Sequence, residues 1–181
     1  MKMDIEEMSE VPQGVTVTIE NSTVKVKGPK GEVARRMFAP GVTIAVAGQQ
    51  VILNAKKATK REKKMLYTLR SHLTNMIRGV QHPWVYKLKV CAGHFPMTVT
   101  VSGNKFIIKN FLGEKVPREC TLPQGVEVKV AGQEITVTAI DREVAGQTAG
   151  LLELLTFKPK KDLRIFQDGI YITEKPSKEI A

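Results

Sequence analysis

The sequence predicts an α+β protein built from two tandem copies of one domain, each a mostly antiparallel β-sheet packed against one helix. Three observations predict it: an internal repeat, period-two apolar runs inside each copy, and one helical stripe closing each copy. The repeat is clearest between Gly41-Val-Thr-Ile-Ala-Val-Ala-Gly-Gln-Gln-Val-Ile-Leu-Asn-Ala55 and Gly125-Val-Glu-Val-Lys-Val-Ala-Gly-Gln-Glu-Ile-Thr-Val-Thr-Ala139, identical at seven of fifteen positions. Upstream, residues 15–33 resemble 99–116, and both carry a Gly-Glu pair, Gly31-Glu32 and Gly113-Glu114. Matches in the same order argue for duplication. The copies divide near Gln81 to Trp84, giving domains at 1–81 and 82–181.

The elements follow in order. Val15, Val17 and Ile19 alternate with polar residues, which puts the apolar set on one face of a strand. Asn21-Ser22 is turn chemistry, and Val24 and Val26 alternate with Lys25 and Lys27, so the pair forms a hairpin. Gly28-Pro29-Lys30-Gly31 ends it, since proline has no N–H for a ladder. Residues 42–46 and 51–53 form a second hairpin. The second copy repeats the scheme at 98–101, 105–109, 126–130 and 135–139. A helix starts at Thr59, with Glu62 completing a capping box. Leu66, Leu69, Leu73, Met76 and Val80 form its stripe, and Gly79 is its expected stop. The second helix takes Asp141 as N-cap, with Val144, Thr148, Leu151, Leu152 and Leu155 as its stripe. Gly146 and Gly150 cost helix propensity, and close approach to the sheet is the expected reason.

Composition narrows the partner. Lys and Arg number 28 against 18 Asp and Glu, a formal charge of +10 with pI near 9.7. Such a chain attracts polyanions, nucleic acid first and an acidic membrane surface second. The acidic segment 1–12 has no apolar signal region, and no apolar run reaches the roughly twenty residues of a membrane span. The chain is therefore expected to be cytoplasmic, with no membrane partner. Cys91 and Cys120 stand far apart without metal-ligand spacing, so neither a metal nor a cofactor is expected.

Catalysis has no foothold in the motifs. His72, His82 and His94 lack carboxylate or cysteine partners at motif spacing, and there is no nucleophile elbow, HExxH or Walker loop. The basic segments are more informative. Lys56, Lys57, Lys60, Arg61, Lys63 and Lys64 crowd the start of the first helix, where the helix dipole disfavours cations. Their two readings are a solvated face and a phosphate-binding patch. Lys158, Lys160, Lys161 and Arg164 follow the second helix on a loop free to drape over a partner. Lys105, Lys109, Lys115 and Arg118 surround the turn Asn110-Phe111-Leu112-Gly113. Aromatic residues are only 6% of the chain, and Phe95 and Phe111 alone sit at basic turns, each able to serve as a core plug. That scarcity favours folded RNA read through its backbone over single strands read by stacking.

Several stretches resemble the archaeal and eukaryotic branch of the uL6 family of large-subunit ribosomal proteins. They are Ala92-Gly-His-Phe-Pro96, Asn110-Phe-Leu-Gly-Glu-Lys115, Asp141-Arg-Glu-Val-Ala-Gly-Gln-Thr-Ala149 and Phe166-Gln-Asp-Gly-Ile-Tyr-Ile-Thr-Glu-Lys175, together with residues 24–31 and 70–79. The resemblance covers nearly the whole chain. It implies a structural constituent of the large subunit, monomeric within the ribosome, in contact with large-subunit rRNA and neighbouring ribosomal proteins. It further implies a position near the base of the factor-binding stalk and the sarcin–ricin region, with the second domain making the principal contact. The residues it favours are His94, the turn from Lys109 through Asn110 and Phe111 to Lys115, and Lys158, Lys160, Lys161 and Arg164; the basic clusters add Lys105 and Arg118, with Lys60, Arg61, Lys64, Arg70 and Arg78 as a secondary set. Charge alone points elsewhere: residues 1–80 carry fourteen basic against seven acidic groups, residues 81–181 fourteen against eleven. Local clusters outweigh domain totals at physiological screening, so the second domain is preferred. The rival reading is a free-standing basic protein that binds generic polyanions.

Overall fold

A computed structural model describes residues 3–159 and 161–176. The chain divides into two compact units, Met1–Pro83 and Trp84–Ala181. In the first, β1 (Met3–Glu10), β2 (Thr16–Glu20), β3 (Thr23–Gly28), β4 (Gly31–Arg36), β5 (Thr43–Ala47) and β6 (Gln50–Ala58) precede α1 (Lys60–Gln81). In the second, β7 (Trp84–Cys91), β8 (Thr98–Ser102), β9 (Lys105–Lys109), a 3-10 turn (Phe111–Gly113), β10 (Arg118–Thr121), β11 (Val126–Ala131) and β12 (Glu134–Ala139) precede α2 (Arg142–Leu155) and β13 (Gly169–Glu174). Each unit holds two antiparallel sheets where the sequence suggested one. The orders are β1-β6-β5 with β2-β3-β4, and β11-β12-β7-β13 with β10-β9-β8. The duplication is therefore topological: β7, β12 and β11 repeat β1, β6 and β5, and β8-β9-β10 repeats β2-β3-β4.

The first unit follows its local chemistry closely. Asn21 and Ser22 both take positive φ, which suits the two-residue connection joining Glu20 to Thr23. Val24, Val26, Val51 and Leu53 of the sheets are buried with Leu66 and Leu73 of α1. Thr59 caps α1 in the expected box: its hydroxyl accepts from the Arg61 N–H at 3.3 Å, and Glu62 accepts the Thr59 N–H at 2.8 Å. All five stripe residues are buried. The helix passes Gly79 and runs to Gln81, and the β3–β4 turn packs over its end. There the Lys30 N–H donates to the Val80 carbonyl at 3.0 Å, and Gly28 is packed so closely that an added Cβ would lie 2.7 Å from Val80 Cγ2. Pro29 and Lys30 thus make a hairpin turn, and the strand β4 that follows escaped the sequence pattern.

The acidic N-terminal stretch is also a strand. Its half-buried positions are Ile5, Glu7 and Ser9, so two of three inward residues are polar and no apolar alternation advertises it. Glu7 takes Arg70 at 2.9 Å and the Tyr67 hydroxyl at 2.9 Å, both from α1. Asp4 accepts the Lys57 N–H at 2.6 Å where the β1–β6 register shifts and Lys57 adopts φ +51°.

In the second unit Phe106, Ile108, Ile135, Leu152 and Ile170 form the core. Asp141 caps α2 through the Glu143 N–H at 2.9 Å. The buried face of α2 is Ala145, Thr148, Ala149 and Leu152, while Leu151 is exposed, a correction to the expected stripe. Small residues bring this helix close to the sheet. Gly146 lies under Tyr86, whose hydroxyl would sit 2.9 Å from an added Cβ, whereas nothing lies within 4 Å of one at Gly150. Close approach therefore explains Gly146 and not Gly150.

Gly150→Ala is expected to stabilise the second unit by about 0.5–1 kcal/mol, since it gains helix propensity without a clash. Gly28→Ala is expected to cost the first unit about 1–3 kcal/mol, because Val80 must move. Urea unfolding checks both, by fluorescence of Trp84 for the second unit and by circular dichroism for the first. Equal effects at the two positions would contradict the packing described.

Candidate nucleic-acid interface

Three irregular segments of the second unit converge: the loop after β7, the turn after β9, and the chain between α2 and β13. Asp168 joins the first to the last. Its Oδ1 accepts the N–H groups of Gly93 at 2.6 Å and His94 at 2.8 Å, and its Oδ2 lies 2.6 Å from His94 Nδ1. Burial by itself would raise the carboxyl pKa. The hydrogen bonds from the His94 backbone and ring and from the Gly93 N–H outweigh it and hold the group at about 2. The His94 ring then stacks on Phe166, with centroids 5.0 Å apart.

Lys158 secures the same segment with opposite charge. It is only 5% exposed. Its Nζ donates to the carbonyl of Phe166 at 2.8 Å and to that of Asp168. The expectation of a lysine draped over a partner is corrected: this ammonium is spent on carbonyls that no sheet ladder satisfies. Thr156 adds a third tie, donating its hydroxyl to the Glu153 carbonyl at 2.9 Å and accepting the Ile170 N–H at 3.0 Å.

The turn is held as firmly. Asn110 has φ +60° and donates its amide to the Pro96 carbonyl at 2.8 Å, fastening the His94 loop. Phe111 is a core plug, 1% exposed. Arg118 lies over its ring at 4.4 Å and meets Glu114 through two hydrogen bonds, of 2.8 and 2.6 Å. The same guanidinium donates to the carbonyls of Leu155 at 2.8 Å and Phe157 at 3.0 Å, where α2 leaves acceptors without partners. A cation there also complements the helix dipole. Leu112 sits at φ +48°, a left-handed conformation costing a branched residue about 1–2 kcal/mol.

The expected site residues therefore separate into two groups. His94, Asn110, Phe111, Arg118 and Lys158 build the frame. Lys109, Lys115, Lys161 and Arg164 are exposed around it, with Lys161 Nζ 4.8 Å from the Phe166 centroid. Lys105 is exposed and pairs with Glu119 at 3.3 Å. Lys160 lies outside the described residues. In the first unit Lys60, Arg61 and Lys64 are exposed on the first turns of α1, Arg70 is committed to Glu7, and Arg78 is half-buried. Asp168, Phe166 and Glu114 lie inside stretches that carry the family resemblance, yet no spacing assigns them a role, because their partners are distant in the chain or belong to irregular backbone.

Between the turn and the post-helix segment lies a cleft of about 370 Å³, lined by Phe95, Leu112, Glu114, Arg118, Lys158, Pro159, Lys161 and Phe166. Among the described residues no cluster of three or more His, Cys, Asp or Glu could hold a metal ion, and no helix is long and apolar enough to cross a membrane.

Comparison with known proteins gives one consistent result. The family described as Ribosomal protein L6 matches residues 11–82 and again 95–169, one match in each unit. The chain is 45% identical to the large ribosomal subunit protein uL6 of Nanoarchaeum equitans, over 94% of this chain and 93% of that one. It is 46% identical to the uL6 protein of Aeropyrum pernix, over 93% of both chains. The corresponding protein of Methanospirillum hungatei is 42% identical over 96% of this chain and 98% of its own.

The junction has a pH signature. Asp168 has a folded pKa below its unfolded value of 3.8, so its contribution is complete above about pH 4 and is lost as pH falls toward 2. The shift corresponds to about 2 kcal/mol. In Asp168→Asn, stability measured by Trp84 fluorescence is expected to be lower at pH 7 and to vary less between pH 4 and pH 2. Lys158→Ala is expected to cost about 3 kcal/mol at pH 7 by stranding the buried Asp168 carbonyl and the half-buried Phe166 carbonyl, whereas Lys161→Ala leaves stability nearly unchanged. Similar losses for the two lysine variants would contradict their separation into frame and rim.

Proposed function

The chain belongs to the ribosomal protein L6 family, and from that premise we propose that its second unit binds large-subunit rRNA through Lys109, Lys115, Lys161 and Arg164, near the base of the factor-binding stalk and the sarcin–ricin region. Family membership makes it a structural constituent of the large ribosomal subunit, located in the cytoplasm's ribosomes, and not an enzyme. Its work is positional. Cations neutralise phosphates where RNA helices approach, and rigid loops fix where those cations stand.

The observation that carries this reading is the difference between frame and rim. Arg118 and Lys158 are consumed inside the protein, which immobilises the segments bearing the four exposed cations. A cation on an ordered loop loses less entropy on meeting a phosphate than one on a free tail. His94, Asn110 and Phe111 then act through position, and Lys105 serves at the margin beside Glu119. Lys60, Arg61 and Lys64 on α1 form a secondary contact with RNA, and neighbouring ribosomal proteins complete the surroundings. The two halves of the duplicated chain, 1–81 and 82–181, thereby take minor and major roles.

Nuclease footprinting on deproteinised large-subunit rRNA, with excess unrelated structured RNA and rising salt, tests the proposal. Each lost phosphate contact lowers the slope of log affinity against log salt by about 0.9. Changing Lys109, Lys115, Lys161 and Arg164 together to Ala is expected to lower the slope by roughly 3.6 and to erase the protected site. The triple change at Lys60, Arg61 and Lys64 is expected to leave that site protected. Diffuse protection that competitor removes from the unaltered protein would favour a generic polyanion binder instead.

A further inference from the structure

We propose that the cleft between the 110–118 turn and the 158–166 segment receives a single unstacked nucleobase of the bound RNA, with its flanking phosphate at Lys161. The proposal rests on the rRNA-binding reading above and adds a contact of another chemical kind to it.

The volume, about 370 Å³, is in the range of small-ligand pockets. Its lining combines flat apolar surface with positive charge. Phe95 is 50% exposed and offers an accessible ring to the cleft. Phe166 is steadied by His94 and carries the Lys161 ammonium over its ring. Leu112 and Pro159 supply the remaining apolar wall. Three cations, Arg118, Lys158 and Lys161, face one carboxylate, Glu114. Arg118 and Lys158 hydrogen-bond neutral carbonyls as well, so the lining keeps a net positive charge. A ligand that is flat, apolar on its faces and negatively charged at one end matches this set, and a nucleotide is such a ligand. An apolar protein side chain would fill the volume but leave the charge unanswered.

Glu114 restricts the base. Each of its oxygens accepts one hydrogen bond from Arg118 and retains capacity for another. A carboxylate edge offers only acceptors, so it suits a base edge rich in N–H donors, guanine or cytosine. The backbone around the cleft agrees with a site built for a purpose. Leu112, two residues before Glu114, is kept at φ +48°, and strained residues persist where a surface must be presented in one shape.

Photocrosslinking of the full-length protein to deproteinised large-subunit rRNA, mapped by mass spectrometry, tests this directly. One nucleotide is expected to join the peptide containing Phe95 or Phe166. Phe95→Leu keeps apolar volume and removes the ring, and is expected to weaken binding roughly tenfold without changing the salt slope. Phe95→Tyr keeps the ring and is expected to bind like the unaltered protein. Unfolding midpoints of both variants verify that they fold. A specific footprint with Phe95→Leu unweakened and no crosslink at these peptides would overturn the cleft proposal and leave the phosphate-binding reading standing. Absence of any footprint with the unaltered protein would overturn both. A crosslink in intact subunits from Phe95 to a neighbouring ribosomal protein would assign the cleft to a peptide and overturn the nucleobase.

Discussion

The second unit depends on two opposite charges that do not pair with each other. Asp168 gathers N–H groups from the loop after β7, and Lys158 gathers carbonyls from the approach to β13. Irregular backbone presents both kinds of dipole without ladder partners, and leaving them buried and unpaired is expensive. An ionised side chain can satisfy several at once. The loops are thereby fixed by charge–dipole bonds rather than by apolar burial, which leaves their outer surfaces free for charged contacts.

Duplication supplied the framework on which this was built. Both units place a helix over antiparallel sheets in the same order, and both use a capped helix start. They differ where charge is spent. The first unit commits Glu7 to Arg70 and Tyr67, tying its N-terminal strand to α1. The second commits Arg118 to the end of α2 and adds β13 beside β7. One copy keeps a mostly solvated basic helix start, and the other turns its charges into loop architecture.

Legibility in the sequence followed the range of the interaction. The α1 cap and stripe were readable because both lie within a few turns of one helix. The strand β1 was not, because its inward face holds Glu7 and Ser9 in place of apolar residues, and Glu7 finds its partners only on α1 some sixty positions later. In α2 the stripe of larger residues includes Leu151, which is exposed, while the contact face joins Ala145 and Ala149 to the expected Thr148 and Leu152, with smallness rather than hydrophobicity admitting the two alanines. A basic residue in a sequence reads as surface by default. Lys158 and Arg118 break that rule, because their partners are backbone carbonyls, which carry no residue identity. Asp168 meets His94 across 74 positions, with no local pattern to announce it.

The place of β13 also sets a schedule. The strand β7 opens the second unit, yet one of its two neighbours is β13, the last strand among the described residues. Synthesis proceeds from the N-terminus, so β7 and the loop after it emerge long before Asp168 exists to bind Gly93 and His94. Until then that loop's N–H groups have only water. The nascent chain can complete its first unit while the second still lacks Ile170 from its core and has no ordered basic rim, so the larger of its two basic surfaces takes shape only with the closing strand.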